Sequence, residues 1–209
     1  APFTMLATMI ENDPYIGRVL TGRIVSGVIK VNQPVRALRR DGTVVEDARL
    51  TKILRSDGLK RESVDTAEAG DIVSIAGLSK ATVADTIGTS TITEPLAARP
   101  IDPPTMAVSI SVNDSPLSGQ EGDKVTSRMI RDRLFREAES NVAIRVTELP
   151  SKDAYEVAGR GELQLGVLVE TMRREGFEMS ISRPRVLFRE NAETGQLEEP
   201  IEEVHVDVD

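Results

Sequence analysis

The stretch that decides the fold of the first half of the chain is residues 22–35, which read GRIVSGVIKVNQPV. β-Branched residues dominate this stretch, and glycine, asparagine and proline interrupt it at short intervals. This pattern is typical of short strands joined by tight turns. In the connection 31–34 we expect Asn32 to adopt the left-handed backbone conformation, which asparagine tolerates better than most residues.

The sequence on both sides of this stretch has the same character. Residues 40–43 read RDGT and predict a hairpin with a type I′ turn, because Asp-Gly favours positive φ at both central positions. No helical stripe occurs before residue 93. Many short strands without a helix indicate a small closed β-barrel, which we assign to residues 1–95. The predicted strands are 3–10, 17–25, 28–31, 35–39, 43–54 and 72–76.

Residues 93–104 read TEPLAARPIDPP and contain four prolines. Proline fixes φ and lacks the backbone N–H, so neither a helix nor a paired strand is expected here. We predict a stiff, extended linker over residues 96–104.

The pattern then changes to that of an α+β domain, over residues 105–183. Apolar residues recur with helical spacing over 124–140 and 162–175, and Gly176 is expected to end the second helix. Strands are predicted over 106–112, 142–146, 154–158 and 177–182. The order β-α-β-β-α-β predicts a ferredoxin-like sandwich with both helices on one face of the sheet.

Residues 204–208 alternate between apolar and polar side chains, as a half-buried strand does. We predict a C-terminal strand that belongs to a following domain beginning within 184–209. No initiator Met and no signal-like segment is visible at residue 1. The sequence therefore predicts a piece of a larger, multidomain cytoplasmic protein.

The composition excludes most familiar catalytic chemistry. The chain has no Cys, and its one histidine is His205, so thiolate metal sites and a Ser-His-Asp triad are not expected. No GxxxxGK[ST] phosphate loop occurs, and residues 85–88, which match DxxG, are interpreted as barrel backbone. We predict no catalytic residue, metal or cofactor in this chain. No apolar run reaches the roughly 20 residues that a membrane span needs, so no membrane partner is expected.

Charge is distributed unevenly along a chain whose net charge is −8. Residues 184–209 contain two basic and eight acidic residues, whereas residues 17–61 contain eleven basic and four acidic ones. The basic stretch predicts contact with RNA phosphates, although a solvated barrel surface is an equal alternative. Aromatic residues are only 3%, which favours folded RNA over stacked single strands. The predicted RNA-binding residues are Arg18, Arg23, Lys30, Arg36, Arg39, Arg40, Arg49, Lys52, Arg55, Lys60 and Arg61.

A secondary basic set lies on the two predicted helices of the second domain. The alternative for the last two members is favourable interaction with the C-terminus of the second helix. The set is Lys124, Arg128, Arg131, Arg173 and Arg174.

The stretches 22–35 and 67–73 resemble the second-domain barrel of the translational GTPases. Residues 125–142, with the sequence VTSRMIRDRLFREAESNV, and the stretches 159–178 and 182–184 resemble the BipA/TypA branch of that family. Two departures from the family pattern are Asn32 in place of glycine and Gln164 in place of histidine. The resemblance covers nearly the whole chain.

This resemblance implies a ribosome-docking and relay portion of a translational GTPase with a role in ribosome assembly and stress adaptation. It implies that ribosomal RNA and ribosomal proteins are partners, with the barrel at the small subunit. It further implies that GTP and Mg²⁺ bind to a GTPase domain that precedes this chain, and that a C-terminal domain follows it. The parent would be an enzyme that hydrolyses GTP, and this piece would not.

Two other functions remain open. The ferredoxin-like domain could be a small-molecule-binding regulatory module. Alternatively, the turn that carries Arg160 and Glu162 could belong to a small enzyme.

Overall fold

The computed structural model describes residues 1–58, 60–151, 153–191, 193–201 and 203–208. They divide into two units, Ala1–Ile101 and Asp102–Asp209. The division falls within the proline-rich segment 96–104, whose role as a linker stays a prediction. No helix among the described residues is long and apolar enough to cross a bilayer.

The first unit is built from strands, as the sequence predicts. Eight of them are hydrogen-bonded in one antiparallel sheet, in the order β5-β4-β10-β1-β2-β9-β6-β7, and β3 pairs with β8. Within the described residues β5 and β7 end this path, so closure of a barrel stays a prediction. The strands are β1 (Thr4–Asp13), β2 (Gly17–Ser26), β3 (Val28–Lys30), β4 (Pro34–Leu38), β5 (Val44–Arg49), β6 (Lys52–Asp57), β7 (Lys60–Ser63), β8 (Thr66–Glu68), β9 (Ile72–Ala76) and β10 (Thr86–Thr89).

Alternate side chains of these strands fill one apolar core. Ile24, Ile53 and Ile75 are completely buried in it, as the period-two pattern requires. The close approach of β1 and β2 depends on glycine, because a Cβ at Gly22 would collide with the carbonyl oxygen of Leu6. A side chain at position 22 would therefore push the two strands apart.

The two predicted tight turns are present, and one has a different geometry. Asn32 has a φ of 66°, which confirms the left-handed conformation. In the β4–β5 turn only Gly42 has a positive φ, of 85°, so the type I′ prediction is wrong. The amide of Gly42 donates to the carbonyl of Arg39, and the carboxylate of Asp41 accepts from the amide of Thr43. That local bond stabilises a turn followed by a left-handed glycine, a common longer hairpin loop.

The long strand predicted over 43–54 is divided into β5 and β6 by a corner at residues 50 and 51. The amide of Leu50 donates to the carbonyl of Gln33, and the amide of Thr51 donates to that of Ala76. Leu50 is fully buried and continues the alternation of β5, and the period changes only beyond it, where Ile53 is buried instead of residue 52. The sequence analysis predicts no strand at β7, β8 or β10, which have three or four residues each.

The second unit combines two helices with a sheet, in the order β-α-β-β-α-β. The helices are α1 (Ser127–Ser140) and α2 (Glu162–Arg174). The strands are β11 (Met106–Val112), β12 (Arg145–Glu148), β13 (Ala154–Gly159), β14 (Met179–Ile181), β15 (Arg185–Val186), β16 (Arg189–Glu190) and β17 (Leu197–Glu198). The sheet order is β12-β13-β11-β14, with β15 also paired to β11, and β16 pairs with β17.

Local capping fixes the ends of both helices. α1 begins later than predicted because the side chain of Thr126 caps its N-terminus. At the end of α2, Gly176 has a φ of 88°, and the amide of Phe177 donates to the carbonyl of Met172. This arrangement is a Schellman motif, which confirms that Gly176 ends the helix.

The two helices share one apolar core with one face of the sheet. Alternate positions of β11, such as Ser109 and Ser111, belong to the other face of the sheet. The buried residues of the core include Ile130 and Leu134 of α1, Leu165 and Leu168 of α2, and Val108, Ile110 and Val157 of the sheet.

The structure does not contain the predicted C-terminal strand. The described residues 203–208 form no strand, and Val204 and Val206 are each 73% exposed. An alternating sequence becomes a strand only where another strand supplies hydrogen bonds and a surface to cover its apolar side. Neither is present for these residues.

Candidate nucleic-acid interface

Two of the predicted RNA-binding cations form ion pairs inside the first unit. Arg36 on β4 donates through Nε and Nη2 to the carboxylate of Asp47 on β5, at 2.7 and 3.0 Å. Arg61 on β7 donates through Nη1 and Nη2 to the carboxylate of Glu11 on β1, at 2.7 Å each. These hydrogen bonds lower the pKa of both acids. Each guanidinium is therefore held by a bidentate partner.

Two further arginines donate to backbone carbonyls. Nη1 of Arg18 lies 2.9 Å from the carbonyl oxygen of Ala81, and Nη1 of Arg49 lies 2.6 Å from that of Asn32. These bonds leave the positive charge uncompensated, but they fix the direction of each side chain. We interpret both arginines as partly structural.

The other seven cations of the set form no ion pair with any side chain that the structure describes, and these side chains do not include that of Asp57. All except Lys52, which is half-buried, are exposed. They are Arg23, Lys30, Arg39, Arg40, Lys52, Arg55 and Lys60.

The β6–β7 hairpin carries three of these cations, two of them on the same face. Its register sets Arg55 and Lys60 on one face and Lys52 and Arg61 on the other. On that face Glu62 lies opposite Arg55, and Asp57, whose side chain lies outside the described part, is the register partner of Lys60. An alternative to RNA contact is that these charges protect a strand edge. β7 is the last strand of the sheet path, and charged side chains on such an edge prevent pairing with another chain.

The other four unpaired cations lie elsewhere on the first unit. Arg39 and Arg40 are in the β4–β5 turn. In the sheet register Arg23 lies between Leu6 and Ile72, so its strand neighbours are apolar. Lys30 is on β3, outside the eight-stranded sheet. Strand pairing thus distributes the predicted RNA-binding cations over several regions of the first unit. Their binding to phosphate stays a prediction.

One exposed lysine that the sequence analysis missed lies on a strongly ordered loop. The carboxylate of Glu46 accepts hydrogen bonds from the amides of Ser79, Lys80 and Ala81, at 2.7 to 3.1 Å. Burial alone would raise the pKa of Glu46, but these amides together lower it. The loop therefore holds Lys80 at a fixed position. No sequence signal links an acid on β5 to a loop more than thirty residues later.

All five cations of the secondary set are engaged within the second unit. On α1, Arg128 lies 3.9 Å from Asp132, and Arg131 donates to Glu148 at 2.6 Å. Lys124, which precedes α1, donates to the carbonyl of Glu175 at 2.6 Å and lies 5.0 Å from the centroid of the Phe177 ring.

On α2, Arg173 and Arg174 both donate to Glu170 at 2.8 Å. Their hydrogen bonds, that of Arg173 first, lower the pKa of Glu170 to about 2.

An ion-pair network that joins the two helices was not identified from the sequence. Arg133 on α1 donates to Glu175 at the end of α2, at 2.6 and 3.0 Å, and to Glu137 at 3.0 Å. Its side chain is only 13% exposed. Arg133 therefore acts as a structural link, whereas the cations we had selected on this helix are more exposed.

In the turn between β13 and α2, Gln164, which stands where the family pattern has histidine, bonds to the backbone. Oε1 of Gln164 accepts a hydrogen bond from the amide of Arg160 at 2.8 Å, so the glutamine side chain fixes the backbone of this turn. The side chains of Arg160 and Glu162 form no ion pair among the described residues.

Residues 85–88 do not fit a GTP and Mg²⁺ site. Gly88 lies within β10, and a Cβ there would be 2.8 Å from Ile92 and from the carbonyl oxygen of Phe3. The carboxylate of Asp85 accepts from the amide of Thr82 at 2.9 Å. The side chain of Ile92 and the backbone of Phe3 therefore leave no space for a phosphate beside Gly88. No group of three or more His, Asp or Glu residues able to hold a metal occurs in the described ranges.

Comparison with known proteins identifies both the first unit and the chain as a whole. Residues 17–88 match the family model described as Elongation factor Tu domain 2. Three proteins named Large ribosomal subunit assembly factor BipA align with the chain. The identity is 44% over 209 residues for Haemophilus influenzae, 45% over 208 for Escherichia coli K12 and 42% over 207 for Synechocystis. These alignments include 100%, 100% and 99% of this chain.

The same alignments include only 33%, 34% and 34% of the three relatives, so the chain spans about a third of the length of the curated relatives it matches. Over the region it spans, the chain is similar throughout to the BipA proteins, and residues 17–88 of its first unit match the elongation factor Tu domain 2 family.

Proposed function

We propose that this chain docks a BipA-type protein onto ribosomal RNA, mainly through the cations of its first unit. The observation that carries the proposal is the similarity over the whole chain to proteins named as large ribosomal subunit assembly factors. The unpaired cations of the first unit support RNA phosphate as the chemical target.

The β6–β7 hairpin is the principal anchor in this proposal. Arg55 and Lys60 lie on one face of an exposed hairpin, opposite Glu62 and residue 57, and neither forms an ion pair with a described side chain. A cation that gives up no internal partner can neutralise a phosphate without breaking a bond in the protein. By contrast, Arg36 and Arg61 would first have to leave Asp47 and Glu11.

The test measures co-sedimentation of the chain with isolated small and large ribosomal subunits over a series of salt concentrations. We expect the variant Lys52→Gln/Arg55→Gln/Lys60→Gln to bind at least tenfold more weakly near 0.1 M salt. The slope of log K against log salt should decrease in magnitude by about 2, since each lost phosphate contact removes roughly 0.7–0.9. Loss of binding to one subunit only would identify the docking partner.

The matched control is Arg128→Gln/Arg173→Gln/Arg174→Gln, which removes the same charge from the second unit. We expect this variant to bind like the unmodified chain. Equal weakening by both variants would mean that binding depends on total charge, and the hairpin proposal would then be wrong.

The proposal has a finer architectural part. The first unit acts as a closed barrel, and the second as a ferredoxin-like sandwich. The β-α-β-β-α-β order and the sheet order β12-β13-β11-β14 support the latter. The two units relay the state of a GTPase domain, outside this chain, that binds GTP and Mg²⁺ and hydrolyses GTP in the cytoplasm. Measuring GTP turnover by the full-length protein, with and without ribosomes, tests this part.

A further inference from the structure

An open cleft in the first unit lies between the β4–β5 turn and the turn that precedes β10. Its volume is about 660 Å³. Arg39, Arg40 and Asp41 line one side, residues 82–85 line the other, and Ile101 contributes an apolar side chain. The cleft thus combines a cationic rim with an apolar wall.

A buried carboxylate lines this cleft. Asp85 is only 5% exposed, and its Oδ2 accepts from the amide of Thr82. Its Oδ1 accepts no hydrogen bond from the described residues. Among those residues, every side-chain oxygen that is fully inaccessible to solvent has a hydrogen-bond partner. Oδ1 must therefore reach solvent, and the cleft is the space that Asp85 lines. Burial raises the pKa of this carboxyl group, which reflects its poor solvation.

The residue that precedes Asp85 is held in a strained conformation. Ala84 has a φ of 70°, and its amide donates to the carbonyl of Ala7 at 2.8 Å. A left-handed alanine costs about 1 kcal/mol or more relative to the right-handed form. The core strand β1 therefore fixes a turn that the local sequence does not favour, and this turn sets the position of Asp85.

The rim carries two cations available to a ligand. Arg39 and Arg40 are exposed and form no ion pair with described residues. The nearby carboxylate of Asp41 is directed into its own turn, where Oδ1 accepts from the amide of Thr43 at 2.9 Å. A ligand here would meet positive charge at the rim, Val83 and Ile101 at the wall, and one hydrogen-bond acceptor at Asp85.

We propose that this cleft binds a nucleoside phosphate, with the phosphate on Arg39 and Arg40 and a hydroxyl or amino group donating to Oδ1 of Asp85. The flat face of the sugar or base packs against Val83 and Ile101. The inference rests on the proposed function, since a nucleotide within an RNA supplies this chemistry. A free nucleotide carries the same groups, so the experiment separates the two sources.

The test is an NMR titration of the ¹⁵N-labelled chain with nucleoside 5′-monophosphates, inorganic phosphate and a single-stranded RNA hexamer. We expect the amides of residues 39–41 and 82–85 to shift with nucleotide, and inorganic phosphate to bind at least tenfold more weakly. Arg39→Gln/Arg40→Gln, in an exposed turn, should weaken nucleotide binding at least fivefold. Asp85→Asn should remove the preference for nucleotide over phosphate. Arg23→Gln/Lys30→Gln is the matched control and should change nothing.

Tighter binding of the hexamer than of the monophosphate would identify RNA as the source, and the reverse would identify a free nucleotide. Phosphate binding as tightly as nucleotide, or an Arg39→Gln/Arg40→Gln variant that binds normally, would overturn the proposal. The hairpin variant at positions 52, 55 and 60 should leave this titration unchanged. Failure of the cleft and failure of ribosome docking are therefore measured separately.

Discussion

The β6–β7 hairpin of the first unit and the helices of the second unit carry similar numbers of predicted cations, but the cations have different partners. On the hairpin, Lys52, Arg55 and Lys60 form no ion pair among the described residues. On the helices, the predicted cations bond to carboxylates, as Arg131 does to Glu148. A basic residue that already has an internal partner contributes mainly to the fold, whereas one without a partner remains available to a ligand.

The largest expected effect concerns the helices, where a cation holds the fold together. Replacing Arg133 with Met leaves Glu137 and Glu175 without their partner, close to an apolar core. We expect the free energy of unfolding of the second unit to fall by about 2 kcal/mol, less than for a fully buried pair because both acids are partly exposed. The buried Tyr155, which bonds to Ser127, provides a fluorescence signal for urea unfolding of this unit.

The matched control for that prediction is Arg55→Gln on the hairpin. It should change the stability of the first unit by no more than about 0.5 kcal/mol, as is usual for exposed surface substitutions. Hydrogen exchange of the first unit measures this. A larger loss for Arg55→Gln than for Arg133→Met would reverse the comparison between the two regions.

The next effect concerns the loop that carries Lys80. Glu46→Gln removes a charged acceptor for three backbone amides and keeps one neutral oxygen. We expect a loss of about 1 kcal/mol, since the site is partly exposed and hydrogen bonds to a charged group are worth more than neutral ones. Faster amide exchange at residues 79–81 in the variant is the expected observation. Unchanged exchange there would mean that the loop is ordered without Glu46.

A smaller effect, which depends on pH, is expected at Asp85. Burial raises the pKa of Asp85 in the folded state, so the folded protein binds this proton more tightly than the unfolded chain does. The stabilising contribution is complete below the unfolded pKa of about 3.9 and is lost as pH rises through the folded pKa. Asp85→Asn should therefore become more stable relative to the unmodified chain as pH increases through this range. Urea unfolding at several pH values checks the sign, and a difference independent of pH would contradict it.

The smallest effect is expected at the end of α2. Arg174 is paired with Glu170, but its side chain is 77% exposed, and exposed pairs contribute little. Arg174→Gln should change the unfolding free energy of the second unit by at most about 0.5 kcal/mol. A loss as large as that of Arg133→Met would mean that exposure does not distinguish these ion pairs.

The sequence predicts those features that depend on local periodicity and local turn chemistry. The helix that Gly176 ends, the left-handed Asn32 and the strand-rich first unit follow from neighbouring residues alone. The corner at Leu50 was missed because its side chain continues the apolar alternation. The strand over 204–208 was predicted from alternation alone, but a strand also requires a partner.

The candidate site shows the same limit. The positions of the basic residues are visible in the sequence, but their partners are not. Arg61 bonds to Glu11, fifty residues earlier, and Arg133 bonds to Glu175, far along the chain. Tertiary contacts of this kind decide which cations are available, so sequence alone could list the eleven residues but not separate the paired from the unpaired ones.

The most direct test of the central claim compares salt dependence between the two regions. Binding of the chain to ribosomal RNA is measured from about 50 to 200 mM salt for the hairpin variant at positions 52, 55 and 60 and for the helix variant at positions 128, 173 and 174. If the hairpin cations bind phosphate and the helix cations do not, the slope is shallower for the hairpin variant and unchanged for the helix variant. An unchanged slope for the hairpin variant, or an equal change for both, would contradict it.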